Sequence, residues 1–164
     1  MNWWYLKFDF NFTTWNNPST WSVWLNKNDL SSQQWSTVIT TWYWTGNRAR
    51  VLWFSYNKFF VWWRNNDYII DQEAPSWQRF NFIFTFDWTT WKVYYNWTLI
   101  WSKSMSYNID SNNISWLFTQ LIPLWDNTQY YRWYASKIII ENKAWAQSEI
   151  QEYYEKTKGK YGLS

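Results

Sequence analysis

The sequence predicts an all-β, antiparallel domain, a sandwich or a barrel, with one short C-terminal helix. Three observations predict it. The dominant hydrophobic period is two, as in Phe80, Phe82, Phe84 and Phe86 alternating with Asn81, Ile83 and Thr85. Many short aromatic or β-branched runs are separated by Asn, Ser, Thr and Asp clusters at fairly regular spacing. Only one segment, near the C-terminus, carries a helical stripe. A length of 164 residues suits a single domain over 1–164 with a sizeable core. No internal repeat or linker divides it.

The first alternating run is Phe8, Phe10 and Phe12, around Asp9 and Asn11. Strands are then expected at Trp21–Asn26, Thr37–Thr41, Arg50–Ser55, Lys58–Val61 and Tyr68–Asp71. After the Phe80–Phe86 run they are expected at Lys92–Tyr95, Thr98–Ile100, Ile114–Leu117, Gln120–Leu124 and Ala135–Glu141. Alternation of this kind marks strands with one buried and one wet face. The helix is expected over about residues 148–158, with Ile150, Tyr153 and Tyr154 on one face. Acidic residues come early, Lys156 and Lys158 late, and Gly159 follows as a stop. Ser148 with Gln151 is the expected capping box.

Composition excludes several chemistries. With no Cys and no His, the chain has no disulfide, no thiol nucleophile, no Cys/His zinc site and no imidazole base. Net charge is +3, and Lys and Arg are scattered, so no nucleic-acid partner is expected. No run of about 18 apolar residues is present, so no membrane insertion is expected. The opening Met1-Asn2-Trp3-Trp4-Tyr5-Leu6-Lys7 lacks the pattern of a signal peptide. An extracellular placement would therefore need a signal elsewhere in a longer, multidomain parent chain.

The chain holds 20 Trp and only 3 Gly. Ordinary glycine usage is roughly 7%. Hairpin turns favour Asp-Gly and Asn-Gly because they need positive φ. Here the partner of Asp87 is Trp88 and the partner of Asn96 is Trp97. Trp42, Trp44, Trp53, Trp62, Trp63, Trp77, Trp91, Trp101, Trp125 and Trp133 also sit where turns or strand ends are expected. Trp24 and Trp145, in apolar settings, read as true tryptophans. Some lineages read the UGA codon as glycine and others as tryptophan. A gene of the first kind translated by the second table would produce this exchange; the alternative is a protein selected to be rich in Trp.

With those tryptophans read as glycine, the chain resembles the laminin G-like, concanavalin A-like lectin and glucanase superfamily. Phe82-Ile83-Phe84-Thr85-Phe86-Asp87-Trp88 is similar to its aromatic strand and Asp-Gly turn. Val93-Tyr94-Tyr95-Asn96-Trp97 resembles its hairpin, and Arg132 to Asn142 its late strand. Lys143-Ala144-Trp145-Ala146-Gln147-Ser148-Glu149-Ile150 resembles its closing motif, with Ala146 where the family often has a capping Ser. Ser19 to Leu25 resembles its early strand with a buried Trp. The resemblance covers nearly the whole chain, more firmly after residue 78. It implies a two-sheet antiparallel jelly-roll sandwich of the concanavalin A type with a short C-terminal helix.

Glucanases of that superfamily carry a Glu-x-Asp-x-x-Glu strand, which sets a nucleophile and an acid on one face. The motif is absent. Asp71-Gln72-Glu73 is the nearest approach and reads as a strand-end turn. No enzyme is therefore expected, and glycoside hydrolysis is the least favoured reading. The resemblance also implies a Ca2+ site at the sandwich rim, for which Asp126 with Asn127 is the first candidate. A second oxygen cluster is Asn65, Asn66 and Asp67. Such clusters are also ordinary solvated turns. Sugars stack on aromatic faces beside polar groups. Tyr130, Tyr131 and Arg132, with Tyr56 and Arg64 at other loops, are the candidate ligand residues, although strand aromatics more often fill cores. The expected role is a non-catalytic carbohydrate-binding or adhesion module of a cell-surface, secreted or virion protein. A structural spacer without a ligand is the alternative.

Overall fold

A computed structural model of the chain describes residues 6–8, 17–27, 35–42, 50–55, 58–62, 68–75, 77–104, 114–117 and 133–164. Its strands are β1 Leu6–Phe8, β2 Ser19–Lys27, β3 Trp35–Trp42, β4 Arg50–Ser55, β5 Lys58–Trp62 and β6 Tyr68–Glu73. They continue with β7 Arg79–Phe86, β8 Thr90–Tyr95, β9 Thr98–Ser104, β10 Ile114–Leu117 and β11 Trp133–Glu141. The helix α1 spans Gln147–Lys158, and a 3-10 turn covers Gly159–Tyr161. Every expected strand that falls on described residues is present. Gln120–Leu124 and residues 10–12 lie outside the described residues.

The strands form two antiparallel sheets, which belong to two compact units. The first unit comprises Met1–Trp15, Leu30–Ala74 and Tyr107–Arg132. Its sheet runs β1-β10-β3-β4-β5-β6. Phe59 pairs with Ile70 across β5 and β6, and both are buried. Asp71 is a strand residue here rather than part of a turn: β6 continues to Glu73, which pairs with Lys58, and Asp71 lies at the register shift between Glu73 and Ile70.

The second unit comprises Asn16–Asp29, Pro75–Ser106 and Trp133–Ser164, with sheet order β11-β2-β7-β8-β9. Its register sorts the side chains of the central strand β7 onto two faces. Phe80, Phe82, Phe84 and Phe86 stand opposite Leu25, Val23, Trp21 and Ser19 of β2. On β8 they meet Tyr95, Val93 and Trp91. Phe84 and Phe86 stack on Trp91 at 4.5 and 4.2 Å. Such pairs add about 0.5–1.5 kcal/mol each beyond their buried area.

The second face departs from the half-wet strand that alternation predicts. Asn81, Ile83 and Thr85 are buried too. The reason is α1, which lays Ile150 against Ile83 and Tyr94, with Trp145 and Tyr153 beside them. Asn81 is partly satisfied there: its Nδ2 donates to Ser22 Oγ (3.1 Å) and to the Val23 carbonyl (3.1 Å), while its buried Oδ1 has no hydrogen-bond partner.

Three expectations about single residues change. The helix N-cap is Ala146, so Ser148 is not the cap. An alanine side chain cannot accept a bond, and the carboxylate of Glu149 instead receives the Ala146 N–H at 2.8 Å. Gly159 has right-handed φ, and the left-handed stop is Gly162, at φ 77°. Trp53 and Trp101 lie inside β4 and β9 rather than at strand ends, and Trp91 is fully buried.

The turn expectation itself stands at three places. Trp77, Trp88 and Trp97 have φ of 61°, 80° and 70°. A left-handed residue with a Cβ costs roughly 1–2 kcal/mol.

Because Phe84 is packed between Trp21 and Trp91, Phe84→Ala is expected to destabilise by about 3–5 kcal/mol in urea unfolding. The exposed Thr89→Ala is expected to stay within about 0.5 kcal/mol of the parent.

Candidate functional site

None of the residues expected to contact ligand or metal falls on the described part. Tyr56, Arg64, Asp126, Asn127, Tyr130, Tyr131 and Arg132 lie outside the described residues, as do Asn65, Asn66 and Asp67. In chain order Tyr130–Arg132 directly precede β11, Tyr56 falls between β4 and β5, and Arg64 between β5 and β6. Among the described residues no three His, Cys, Asp or Glu side chains gather as a metal-holding group. No described helix is long and apolar enough to cross a membrane.

Two features of the second unit have defined polar geometry. The first is the seam between the sheet and α1. Thr20 Oγ1 donates to the Lys143 carbonyl at 2.7 Å and accepts the Trp145 N–H at 2.8 Å. This one hydroxyl fixes the segment that leads into the helix. Trp24 Nε1–H donates to Tyr153 Oη at 3.2 Å, and the Trp24 ring stacks on Tyr161 and Tyr154 at 4.3 and 5.8 Å. Burial pushes the Tyr153 phenol up, partly offset by hydrogen bonds from Ser22 and Trp24. Lys137 lies over the Tyr153 ring at 5.5 Å. Gln147 Nε2 donates to the Trp97 carbonyl at 2.8 Å. The seam is a structural lock, with Thr20 and Trp24 buried at its centre and Lys137 and Gln147 exposed at its edge.

The second feature is the pair of hairpin turns bounding β8. At the β7–β8 turn, Asp87 Oδ1 accepts the Thr90 N–H at 2.9 Å, and Oδ2 meets Lys92 Nζ at 3.2 Å. Burial pushes the Asp87 carboxyl up, but these partners outweigh it and hold it below its ordinary value. At the β8–β9 turn, Asn96 Oδ1 accepts the Asn81 N–H at 2.8 Å, and Asn96 N–H donates to the Asn81 carbonyl at 2.9 Å. Thr20 and Asn81 were not singled out by sequence.

No protein-family model matches the chain, and no curated protein matches its sequence significantly. Solved structures do match in fold. The botulinum neurotoxin serotype D/C binding domain is similar with a TM-score of 0.64 at 15% identity, over 88% of this chain and 38% of that one. A botulinum neurotoxin type C structure, concerned with interaction with two ganglioside molecules, matches at TM-score 0.64 and 13% identity, over 88% and 37%. A Trypanosoma rangeli sialidase matches at TM-score 0.68 and 9% identity, over 91% and 24%. This chain thus spans well under half the length of each. At such identities the likeness carries the fold class, an antiparallel two-sheet β-sandwich of jelly-roll type with a short C-terminal helix.

The hydrogen bond from Lys143 and the Ala146 N–H hold Glu149 below its ordinary value of 4.5. A carboxylate lowered by folding stabilises fully above its unfolded value, and that contribution disappears as pH falls through the folded one. The melting temperature is therefore expected to drop on acidification below about pH 4.5, and Glu149→Gln to flatten that drop. Thermal melts between about pH 3 and 6 check it.

Proposed function

We propose that this chain is a non-catalytic carbohydrate-binding or adhesion module, of the laminin G-like type, in a larger cell-surface, secreted or virion protein. One observation supports it above the others. The fold is shared with neurotoxin binding domains, one of them in a structure concerned with ganglioside molecules. Another such domain was solved in complex with rat synaptotagmin II. A jelly-roll sandwich leaves recognition to loops at its ends, because the sheets themselves are committed to the core. In this reading Tyr130, Tyr131 and Arg132 form the ligand-contacting group, with Tyr56 and Arg64 as outlying contacts. Aromatic faces stack on sugar C–H surfaces, and Arg supplies donors to hydroxyl or carboxylate oxygens.

The test is a glycan array that includes sialylated ganglioside headgroups, probed with the whole chain. Reproducible binding is expected, and Tyr131→Ala should weaken it about tenfold, or 1.4 kcal/mol. Silence across the array would favour the spacer reading instead.

The sialidase likeness raises hydrolysis as a second reading. Of Asp71 and Glu73, the nearest approach to a carboxylate motif, Asp71 already pairs with Lys58. Release of sialic acid from a ganglioside substrate would establish hydrolysis and overturn the non-catalytic assignment.

Ca2+ at Asp126 and Asn127 is the proposed cofactor. Extracellular modules bind Ca2+ at about 10⁻⁴–10⁻³ M. Calorimetry at millimolar Ca2+ is expected to give a binding heat that Asp126→Ala abolishes.

A further inference from the structure

We infer that Trp77, Trp88 and Trp97 occupy positions this fold builds for glycine, and that the gene's own host reads those codons as glycine. The inference stands independently of the glycan reading.

The backbone is the first support. Among the described residues, positive φ occurs outside glycine at four positions, and three are tryptophan. Asn96, the fourth, is a residue type that tolerates the left-handed region. Asn96 and Trp97 take φ of 45° and 70° between the paired residues Tyr95 and Thr98. Two central residues with positive φ make the hairpin turn whose preferred sequence is Asn-Gly. The β7–β8 turn is closed by Asp87, which donates its own N–H to the Thr90 carbonyl at 3.2 Å and accepts the Thr90 N–H. The side chain at 88 takes no part in that closure.

Packing is the second support. The three indoles are exposed, at 68%, 60% and 39% for Trp77, Trp88 and Trp97. Little burial offsets the strain. Trp24, by contrast, is fully buried, hydrogen-bonded and stacked, and its φ is not positive.

Strained residues also gather at functional sites, so a ligand platform is the competing explanation. Geometry disfavours it. Trp88 and Trp97 sit at opposite ends of β8, a six-residue strand, which separates the turns by roughly 20 Å. One sugar ring cannot use both. The chain-wide exchange of 20 Trp against 3 Gly points the same way.

Two measurements test the inference. The gene is expected to carry TGA at 77, 88 and 97, and TGG codons there would overturn the assignment. Independently, Trp88→Gly and Trp97→Gly are each expected to raise the melting temperature by about 2–8 °C. Trp88→Ala and Trp97→Ala remove the same indole but keep the Cβ, and should recover much less. Trp24→Gly, the control, should lower it. Glycine variants that melt no higher than the alanine variants would overturn the inference. If the chain as written does not fold, the triple glycine variant is expected to melt cooperatively and the triple alanine variant to melt lower or not fold.

Discussion

The second unit depends on one constraint, that its central strand β7 has no solvent face. Four phenylalanines commit one side to an aromatic layer with Trp21 and Trp91. The other side must then be covered by something that also satisfies Thr20. Helix α1 and the segment before it meet both needs. Ile150 supplies the apolar contact, while Thr20 binds the segment on either side of Ala144. A buried strand without that cover would leave Asn81, Thr85 and Thr20 beside an unsealed apolar surface, where each loses its reason to be buried. The helix is therefore part of the core rather than an appendage, although its twelve residues alone would be marginal in water.

Trp24 is the residue on which that cover turns. It stacks on two tyrosines of the C-terminal segment and donates to a third, so α1 and the 3-10 turn converge on one indole. Its neighbour Trp21 faces the opposite layer, against Phe84. The Trp21-Ser22-Val23-Trp24 run thus serves two layers with one strand, as the register requires. These indoles have specific partners, whereas those at 88 and 97 rest on turn geometry that the backbone and Asp87 or Asn96 already define.

The strands were legible because alternation and polar punctuation are local signals, as Phe80–Phe86 shows. The helix was legible from Ile150, Tyr153 and Tyr154. Burial of the second face of β7 was not, because it arises from residues sixty and more positions away. The helix cap was misplaced for a related reason. Ser148 is the better capping residue by type, but Lys143 and Glu149 close the turn two residues earlier, around Ala146. Trp53, Trp91 and Trp101 were read as strand-end residues from their small polar neighbours. Their registers against Phe60, Phe86 and Val93 place them within strands instead. The candidate ligand residues had only loop composition behind them, and loop composition does not determine geometry.

The tryptophan count first suggests an aromatic recognition surface. The described residues argue for a different division of labour. Indoles that pack, such as Trp24, are spent on holding α1 to the sheet and cannot turn outward without opening the core. Indoles that are exposed at 77, 88 and 97 sit on left-handed backbone. An aromatic platform needs a ring that is both exposed and held by an unstrained support, since a strained, unpacked ring is costly to orient. Neither group of tryptophans meets both conditions. On the proposed reading, recognition falls instead to tyrosine and arginine, whose identity does not depend on how the tryptophan codons are read. On the same proposed reading, Tyr130–Arg132, which precede β11 in the chain, are favoured over the hairpin tips of the five-stranded sheet.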